Sequence, residues 1–568
     1  MFKKPDFILL HAPAIYDFRK FPALLGPISD VIPSTPIFEM YPIGFSSIAE
    51  HLGKNGVRVQ IINLAYRMLE NPKFDVEKKI AKLNPKAFGI DLHWLVHVQG
   101  SLEIAKICKK YHPDIPVIFG GYSSTYFHEE LIKYPQVDFI LKGDSTEEPL
   151  LQLIRSLKNK DDFFPIPNLT WENKKTVHSN PIEYVPDNLN NLTNNYKNLF
   201  KLAVKNLDPK SMTAIRDWWR YPITAVMTCR GCVKNCTICG GSKYAMKHYC
   251  NRAKPSFRDA DLIVKDIEQI SRFTNGPIFV VGDLNQPGTE YADTVIHGLK
   301  KLNLKNEMVF ELFEPASENF FEKLSDAVPN FNFEFSPESH DKEIRQKCGK
   351  HFSNEQIEAN IQWALDRGCK KFDIFFMIGL PLQTPKSVLD TVDYCGYLLN
   401  KFGTRLIPFI SPLSPFLDPG SLAFEKPKKF GYKIFYKTLE QHRQALLKPS
   451  WKYFLSYETK WMLRDQIVDV TYEAGQRLSK IKYEHGLIDK QVYENISLKI
   501  ELAKNLIKRI DEICPAPNTE HYWEELSNLK LKMDNDSIST ICEKEELKWP
   551  IWKNRLKIMN IIKAILFE

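Results

Sequence analysis

Residues 228–242 read TCRGCVKNCTICGGS and directly follow the apolar run ITAVM at 223–227. The stretch places Cys232, Cys236 and Cys239 in a CxxxCxxC pattern, in a loop that comes after a predicted strand. Three thiolates at this spacing can hold three irons of a [4Fe-4S] cluster and leave the fourth iron without a protein ligand. Because an open iron can bind a substrate or a cofactor, the stretch predicts an enzyme.

Two other kinds of metal site fit parts of the same stretch. A structural zinc site could use Cys229 as a fourth thiol, although zinc ribbons usually separate their two CxxC pairs by roughly 15 to 20 residues. A ferredoxin-type electron carrier would use a C-x2-C-x2-C-x3-C run followed by Pro, whereas Gly240 follows the last Cys here. The spacing favours the open-iron cluster, with zinc and simple electron transfer as alternatives. It assigns no role to Cys229 or Cys250.

The composition is that of an ordinary soluble globular protein. A length of 568 residues predicts about three or four domains, and 43% hydrophobic with 26% charged residues is typical of a packed core with a polar surface. The formal net charge of +8 is small for this length. Since Lys and Arg are interspersed with Asp and Glu, we expect no nucleic-acid partner.

The cysteines are unevenly distributed. Five of the eleven lie between 229 and 250, and only Cys108 lies in the first 228 residues. This pattern indicates reduced thiols and a metal site in a cytoplasmic protein, not a disulfide framework. His11 and Pro13 interrupt the N-terminal apolar run before it could form a signal peptide, and no apolar stretch is long enough to predict a transmembrane segment.

Residues 1–160 alternate short β-rich runs with helical stretches. This order predicts a parallel sheet covered on both faces, a Rossmann-like doubly wound domain. In such sheets ligands bind beyond the carboxyl ends of the strands, so the loops after His11, Asp91, Gly121 and Gly143 should line any site. The predicted strands are 7–11, 57–64, 87–92, 116–121 and 137–143, with helices near 44–55, near 99–111 and from about 146.

Residues 216–450 alternate in the same way with longer helices, and six strand candidates predict a partial (β/α)6 barrel related to the TIM barrel. The cysteine loop follows the first of these strands, at the end where barrel sites lie. The six strand candidates are 223–227, 277–283, 308–313, 331–336, 372–379 and 405–411.

Two further regions complete the domain organisation. Residues 161–215 include the Asn-rich DNLNNLTNNYKNL and predict a linker, with short helices packed on the next domain as the alternative. Residues 451–568 predict a helical C-terminal domain with amphipathic segments. The last stretch, WPIWKNRLKIMNIIKAILFE at 549–568, predicts a helix docked on its own domain, with peripheral membrane contact as the alternative.

The three-cysteine set after a strand, with its flanks TxRGC and GGS, resembles the radical S-adenosylmethionine (radical SAM) enzymes. Ile238 departs from the pattern, since the family often has an aromatic residue just before the third Cys. The resemblance implies a [4Fe-4S] cluster held by Cys232, Cys236 and Cys239, and S-adenosyl-L-methionine (SAM) at the open iron. It also implies an electron donor such as ferredoxin or flavodoxin.

By the same resemblance, residues at the ends of the barrel strands bind SAM. Asp283 would contact the methionine amine, Ser336 and Glu338 the ribose hydroxyls, and Arg345 the methionine carboxylate. Gly379, in FMIGLPLQT, would permit close approach of the backbone to the nucleoside. The structural alternatives are a cap or turn role for Asp283, a surface turn for Ser336 and Glu338, and an exposed salt bridge for Arg345.

The N-terminal domain resembles the cobalamin-binding (B12-binding) domains found before many radical SAM domains. The resemblance rests on the element order, on Gly120-Gly121 after the fourth strand and on KGDSTEEPL at 142–150. The DxHxxG motif, whose His is the lower cobalt ligand, is missing after the first strand, and DLHW at 91–94 follows the third. The implied cobalamin contacts are His11, Asp91, Gly120, Gly121 and Glu148, with His93 and His97 as further candidates.

Together the resemblances imply a cobalamin-dependent radical SAM enzyme. Reductive cleavage of SAM would give methionine and a 5'-deoxyadenosyl radical, and methylcobalamin would transfer a methyl group to an unactivated carbon of a small-molecule or lipid substrate. The alternatives are radical cyclisation or rearrangement without methyl transfer, and a non-catalytic iron-sulfur or zinc scaffold. A methylthiotransferase is disfavoured because it needs three more cysteines in the N-terminal domain, where only Cys108 occurs.

Overall fold

The computed structural model describes residues 4–21, 23–27, 34–159, 162–192, 195–413, 416–513, 524, 541–551 and 556–566. In these residues the chain forms two large sheets flanked by helices, followed by a mainly helical C-terminal part. The expected α/β class is therefore confirmed, with a doubly wound domain, then a partial (β/α)6 barrel, then a helical region.

The first sheet is parallel through five strands, in the order β2-β1-β3-β4-β5, and ends with the antiparallel strands β6 and β7. Every residue of the first three strands is buried, because helices cover both faces of a parallel sheet. The order reverses between β1 and β3, so their carboxyl ends open the crevice in which such sheets bind ligands. The strands are β1 (Phe7–His11), β2 (Val59–Asn63), β3 (Ala87–Asp91), β4 (Val117–Gly120), β5 (Phe139–Leu141), β6 (Leu169–Asn173) and β7 (Thr176–Ser179).

In the described part of the first domain, seven α-helices accompany this sheet, and each long one buries one face against it. The helix α4 buries nine of its fourteen residues, and α7 begins with two acidic residues at its N-terminus, where the helix dipole favours negative charge. The helices are α1 (Gly44–Lys54), α2 (Leu64–Glu70), α3 (Val76–Ala81), α4 (Val98–Tyr111), α5 (Tyr122–Tyr126), α6 (His128–Leu131) and α7 (Glu147–Asn159).

The region 161–215 is more ordered than the expected linker. Its strands β6 and β7 form a hairpin on the edge of the first sheet. A helix α8 (Tyr196–Lys205) then packs between the two large domains, with Leu199 in the core beneath the first sheet and Phe200 in a core shared with barrel strands. For α8, the alternative prediction of a short helix packed on the next domain fits the structure better than the prediction of a linker.

The second sheet contains six parallel strands in the order β15-β14-β13-β12-β11-β8, which is the predicted partial barrel. A two-stranded ribbon of β9 and β10 extends the start of the cysteine loop. The strands are β8 (Thr224–Met227), β9 (Cys229–Arg230), β10 (Ser256–Phe257), β11 (Ile278–Val281), β12 (Met308–Leu312), β13 (Phe331–Glu338), β14 (Phe372–Ile378) and β15 (Leu406–Pro412).

Helices cross between the barrel strands and form its outer layer. They are α9 (Lys243–Tyr249), α10 (Ala260–Phe273), α11 (Thr289–Leu302), α12 (Glu318–Ala327), α13 (Lys342–Lys347), α14 (Asn354–Asp366) and α15 (Pro385–Phe402). The C-terminal elements are α16 (Leu422–Glu425), α17 (Pro427–Phe430), β16 (Tyr432–Ile434), α18 (Leu439–Ala445), α19 (Trp451–Phe454), β17 (Tyr457–Thr459), α20 (Arg464–Glu484), α21 (Lys490–Ile513) and α22 (Ile558–Leu566).

The final helix has one packed and one exposed side. Ile561 packs against the core shared by α8 and the barrel, while Ile558, Met559 and Ile562 are exposed. Residues 552–555, 567 and 568 of the stretch singled out for membrane contact lie outside the described residues, and that contact stays a prediction. In the described part of the chain, no helix combines the length and apolarity needed to cross a bilayer.

Candidate active site

The three cysteines of the CxxxCxxC set lie in the cluster loop, residues 228–242, at the carboxyl end of β8. The backbone N–H of Lys234 donates to Sγ of Cys232, and that of Gly241 donates to Sγ of Cys239, both at 3.3 Å. Such N–H···S bonds are among the interactions that tune iron-sulfur clusters. Burial raises the pKa of Cys236 to about 11, so bound iron would be needed to hold it as a thiolate at neutral pH.

The cluster loop is tied to other parts of the barrel. The N–H of Gly240 donates to Oδ2 of Asp418 at 2.9 Å, and the hydroxyl of Thr237 donates to the carbonyl of Lys347 at 2.9 Å. These bonds fix the loop before any ligand binds, which a preorganised site requires.

Cys229 and Cys250, to which the spacing gave no role, have separate surroundings. Sγ of Cys229 lies 3.7 Å from the carbonyl oxygen of Gly231, and Cys250 is buried after α9. A structural zinc site that used Cys229 would need its four ligands about 4 Å from one another, because each ligand lies within about 2.3 Å of the metal. Across the described residues, no three His, Cys, Asp or Glu side chains are grouped to hold a single ion.

Ser336 and Glu338 lie at a bulge near the end of β13, where φ of Glu338 is +68° and the pairing register shifts. Nζ of Lys350 bonds to the carbonyl of Ser336 and lies 2.7 Å from Oε1 of Glu338. The other carboxylate oxygen, Oε2, is buried and has no partner in the described structure. A buried acceptor without a partner fits a ribose hydroxyl, because leaving it unpaired costs free energy. Lys350 was not found from the sequence.

Arg345 is buried, in contrast to the exposed salt bridge that was its structural alternative. Its guanidinium donates to the carbonyls of Phe352 and Ser339 at 2.9 and 2.8 Å. Nη2 is buried and lacks a partner among the described residues, so its N–H groups remain for a ligand such as a carboxylate.

In contrast to Glu338 and Arg345, the residues Asp283 and Gly379 make close contacts with other parts of the protein. Asp283 accepts N–H bonds from Asn285 at 2.8 Å and Phe313 at 2.9 Å, as a turn residue does, and burial raises its pKa. Gly379 has φ of +95°, and a Cβ there would lie 2.3 Å from the hydroxyl of Tyr457. Glycine at 379 therefore permits the packing of Tyr457, while the SAM contacts of both residues stay predictions.

Glu311 is a partly buried carboxyl that the sequence reasoning did not select. It lies in β12, and its Oε2 accepts the N–H of Gly282 at 2.5 Å. Burial raises its pKa to about 7, in spite of that hydrogen bond. A lone Glu in the apolar run MVFEL was the available signal, since a charged residue within a barrel strand has to face some polar partner or ligand.

A cavity of about 580 Å³ opens between the two domains. The strand ends of the first sheet form one wall, with Asp91, Gly120 and Gly121, and the cluster loop forms the opposite wall with Gly240 and Gly241. Most of the other lining side chains are apolar, and those on β1, β4, α1 and α7 form about half of this apolar lining. The cavity thus brings the predicted cobalamin contacts beside the predicted cluster.

Some of the predicted cobalamin contacts line the cavity at the strand ends of the first sheet, and others are buried behind that lining. His11 is fully buried and not part of the lining; its Nδ1 bonds to Oδ1 of Asp91 at 3.0 Å and its Nε2 to the carbonyl of Phe38 at 3.0 Å. His93 does line the cavity, with Nδ1 2.7 Å from Oδ2 of Asp91. His97 is buried and bonds through Nδ1 to a backbone carbonyl.

Glu148 does not line the cavity, whereas its neighbour Glu147 does. Glu148 is partly exposed and pairs with His51 at 3.0 Å. Glu147 pairs with Arg230 of the cluster loop at 2.6 Å, and both side chains are almost completely buried. This ion pair links the first domain to the cluster loop. One position further along the helix, the side chain of Glu148 points away from the cavity, and its cobalamin contact stays a prediction.

Two family descriptions match the chain. The B12 binding domain matches residues 31–151, which run from before α1 into α7. The radical SAM superfamily matches residues 226–395, which run from β8 into α15 and include the cluster loop.

Solved structures share this arrangement at low sequence identity. The radical S-adenosylmethionine methyltransferase TsrM from Kitasatospora setae, with cobalamin and a [4Fe-4S] cluster bound, is 14% identical with a TM-score of 0.56, over 76% of this chain and 81% of that chain. The cobalamin-dependent S-adenosylmethionine radical enzyme OxsB, with aqua-cobalamin and SAM bound, is 13% identical with a TM-score of 0.56, over 99% of this chain and 79% of that chain. At these identities the likeness shows the fold alone.

A more limited likeness connects the chain to a protein of known activity. Anaerobic magnesium-protoporphyrin IX monomethyl ester cyclase from Synechocystis sp. is 24% identical over 130 residues. The match covers 22% of this chain and 23% of the cyclase, so this chain spans less than a quarter of that relative.

Proposed function

We propose that this chain, in which a B12 binding domain precedes a radical SAM domain, is a cobalamin-dependent radical SAM enzyme that transfers a methyl group to an unactivated carbon. The observation that carries the proposal is the shared cavity. Its walls are the strand ends of the first domain, at Asp91 and Gly120, and the cluster loop, at Gly240 and Gly241. A corrin bound to the first wall would lie beside a cluster held by the second.

Several residues of this chain fit the groups that the reaction needs. When bound, the cluster supplies one electron for cleavage of the sulfonium of SAM, and cobalamin supplies a methyl carrier. Cys232, Cys236 and Cys239 would hold the iron, and the unpartnered Oε2 of Glu338 would accept from a ribose hydroxyl. The unpartnered Nη2 of Arg345 would donate to a carboxylate.

The cavity also has the physical properties that radical chemistry requires. Its lining is mainly apolar, so a bound substrate and cofactor would displace water from it. The ion pair of Glu147 with Arg230 connects the two walls directly. A primary radical attacks whatever lies nearest, so a closely held substrate favours reaction with the substrate over reaction with the protein. We propose a small molecule or a lipid as substrate and a ferredoxin or flavodoxin as electron donor.

A second reaction of the same class is favoured by the likeness to a cyclase. Ring closure without methyl transfer would use the same cluster and SAM. The mass of the product separates the two reactions, because methylation adds a CH2 unit and ring closure removes hydrogen.

The test is anaerobic reconstitution with iron, sulfide and cobalamin, followed by addition of SAM and a reductant. We expect a bound-cobalamin absorbance spectrum and formation of 5'-deoxyadenosine. Cys236→Ala should lose the cluster and this product, because one of three ligands is missing. Cys229→Ala is the matched control in the same loop and should keep both. Absence of 5'-deoxyadenosine from well-loaded wild type, or cluster loss in Cys229→Ala equal to that in Cys236→Ala, would contradict the proposal.

A further inference from the structure

Among the described residues, the ring of His93 has one nitrogen held by a buried carboxyl group and no partner on the other nitrogen. Nδ1 lies 2.7 Å from Oδ2 of Asp91, and no described residue bonds to Nε2. The side chain lines the cavity between the two domains and is 32% exposed, whereas Asp91 is 4% exposed. The two nitrogens therefore face different environments, one inside the domain and one at the cavity.

The hydrogen bond to Asp91 fixes the tautomer of this ring. The carboxyl group of Asp91 is held from two sides, by Nδ1 of His11 at 3.0 Å and by Nδ1 of His93 at 2.7 Å. A carboxylate only accepts, so Nδ1 of His93 must donate its hydrogen to it. In a neutral imidazole the lone pair is then on Nε2, the nitrogen to which no described residue bonds.

His11 holds the carboxylate in place from the buried side. Its Nδ1 faces Asp91 and its Nε2 faces the carbonyl of Phe38, so both nitrogens must carry hydrogen and the ring is an imidazolium. This contact holds the carboxyl group of Asp91 in position at the base of the cavity. A carboxylate that orients the ring and increases the basicity of the other nitrogen is the usual support of a metal-binding histidine.

The strand ends bring this ring to the centre of the crevice. His93 follows β3, which lies between β1 and β4 in the sheet. Gly121, after β4, has φ of +112°, and a Cβ at 121 would lie 2.5 Å from Cα of His93. Only glycine permits this approach, so Gly120-Gly121 and the loop of His93 are built as one surface.

We propose that Nε2 of His93 is a nitrogen ligand to the cobalt of a cobalamin bound in this cavity, supplied by Asp91-x-His93 after β3 in a domain that lacks DxHxxG after β1. The inference rests on the proposed function, because it needs cobalamin in the cavity. His97 is not the ligand, since it is buried, does not line the cavity and uses Nδ1 on the carbonyl of Ala12.

The decisive experiment needs no mutation. Full-length protein is prepared anaerobically at natural isotope abundance and with uniform nitrogen-15 labelling, and each sample is loaded with unlabelled hydroxocobalamin and reduced to cob(II)alamin. Electron paramagnetic resonance is recorded at a temperature too high for a reduced iron-sulfur cluster to contribute. A protein nitrogen on cobalt splits the cobalt lines into triplets in the unlabelled protein and doublets in the labelled protein, which is the expected result.

Three other results are possible, and each would contradict the inference for a different reason. Triplets in both samples would identify the benzimidazole of cobalamin as the ligand and overturn the inference. Unsplit lines would show that no nitrogen binds and would also overturn it. Both of these results leave cobalamin binding intact, and with it the proposed function. Failure of the purified protein to retain cobalamin would overturn both together.

Variants then assign the nitrogen to His93. His93→Gln should lose the splitting while still retaining cobalamin, since most of the cavity lining is unchanged. His297→Gln, at an exposed position on α11, is the matched control and should keep the doublets of the labelled protein. Doublets that persist in His93→Gln would overturn the assignment.

Discussion

At the scale of single residues, Glu311 is the clearest case of a side chain whose chemistry is set by burial. It lies in a strand of the barrel, with the N–H of Gly282 on one oxygen and Asp283 as a nearby like charge. Burial is the largest cause that raises its pKa to about 7, from 4.5 for an exposed Glu. Glu311 is therefore protonated over a pH range in which most carboxyls are charged.

This difference predicts a specific pH dependence of stability. Between pH 4.5 and about 7 the folded chain holds a proton on Glu311 that the unfolded chain has lost. The contribution of this group is fully present below pH 4.5 and is lost as pH rises through 7, a total of about 3 kcal/mol. Denaturant unfolding of wild type and Glu311→Gln across this range should show the loss only in wild type. Glu322→Gln, exposed on α12, should retain the wild-type slope, and parallel profiles for wild type and Glu311→Gln would contradict the prediction.

Residues differ in how far sequence alone reveals them. Cys232, Cys236 and Cys239 were recognisable because their spacing within one loop is the chemical signal itself. Lys350 was not, because its partner Glu338 is twelve residues away and the pair forms only when a bulge turns the end of β13 toward it. Burial of an isolated Lys or Glu is costly, so such pairs are decided by tertiary packing and leave little trace in local sequence.

At the scale of elements, the first turn of α7 connects the two domains. Glu147 and Arg230 are 3% and 9% exposed, and their ion pair is 2.6 Å long. Burial alone would raise the pKa of Glu147, but the guanidinium of Arg230 overrides this effect and lowers the pKa to about 2. The adjacent Glu148 pairs with His51 at the surface instead, with 32% of its side chain exposed.

The two neighbouring glutamates provide a matched pair of variants. Glu147→Gln leaves a buried guanidinium without its counter-charge and should lower the free energy of unfolding by about 3 to 5 kcal/mol. Glu148→Gln removes a partly exposed pair and should cost about 1 kcal/mol or less. Denaturant unfolding measures both. Equal losses in the two variants would show that the contact between α7 and the cluster loop does not stabilise the chain in this way.

The parallel strands of the two large sheets followed from hydrophobic pattern, whereas the hairpin of β6 and β7 did not, for a local reason. All six barrel strands and the five parallel strands of the first sheet overlap their predicted ranges. The hairpin of β6 and β7 was assigned to a linker. Its turn residues Lys174 and Lys175 both have positive φ, a geometry for which Asn and Gly are the usual residues. Lysines gave no turn signal, and β7 is largely exposed, so no apolar alternation marked it as a strand.

At the scale of the whole molecule, the C-terminal segment closes the end of the barrel opposite the cluster loop. Six strands leave a barrel open, and residues 541–551 return to fill it. Leu547 packs with Phe375 and Phe409, and Trp549 packs against Phe279 with ring centroids 5.5 Å apart. This return could not be read from the sequence, because helical periodicity at 451–568 predicts helices and says nothing about which distant strands they cover.

Trp549 gives a direct test of this closure. It is 2% exposed, and its backbone N–H donates to the hydroxyl of Tyr221 at 2.9 Å, so Trp549→Ala would open a cavity among the strand ends. We expect a loss of about 3 to 5 kcal/mol in the free energy of unfolding. Trp219→Ala, at a side chain that is 40% exposed, should cost about 1 kcal/mol or less.

Iron content provides the second readout of the Trp549→Ala variant. The cluster loop lies at the carboxyl ends of the strands, whereas Phe279 and Val309, which share a core with Trp549, lie near their amino ends. If the C-terminal segment affects only stability, Trp549→Ala should bind as much iron per folded chain as wild type after reconstitution. Its unfolding midpoint should be lower than that of wild type. A variant as stable as Trp219→Ala would show that the barrel holds its shape without the segment. A stable variant that lost iron would instead connect the closed end to the cluster loop through the strands.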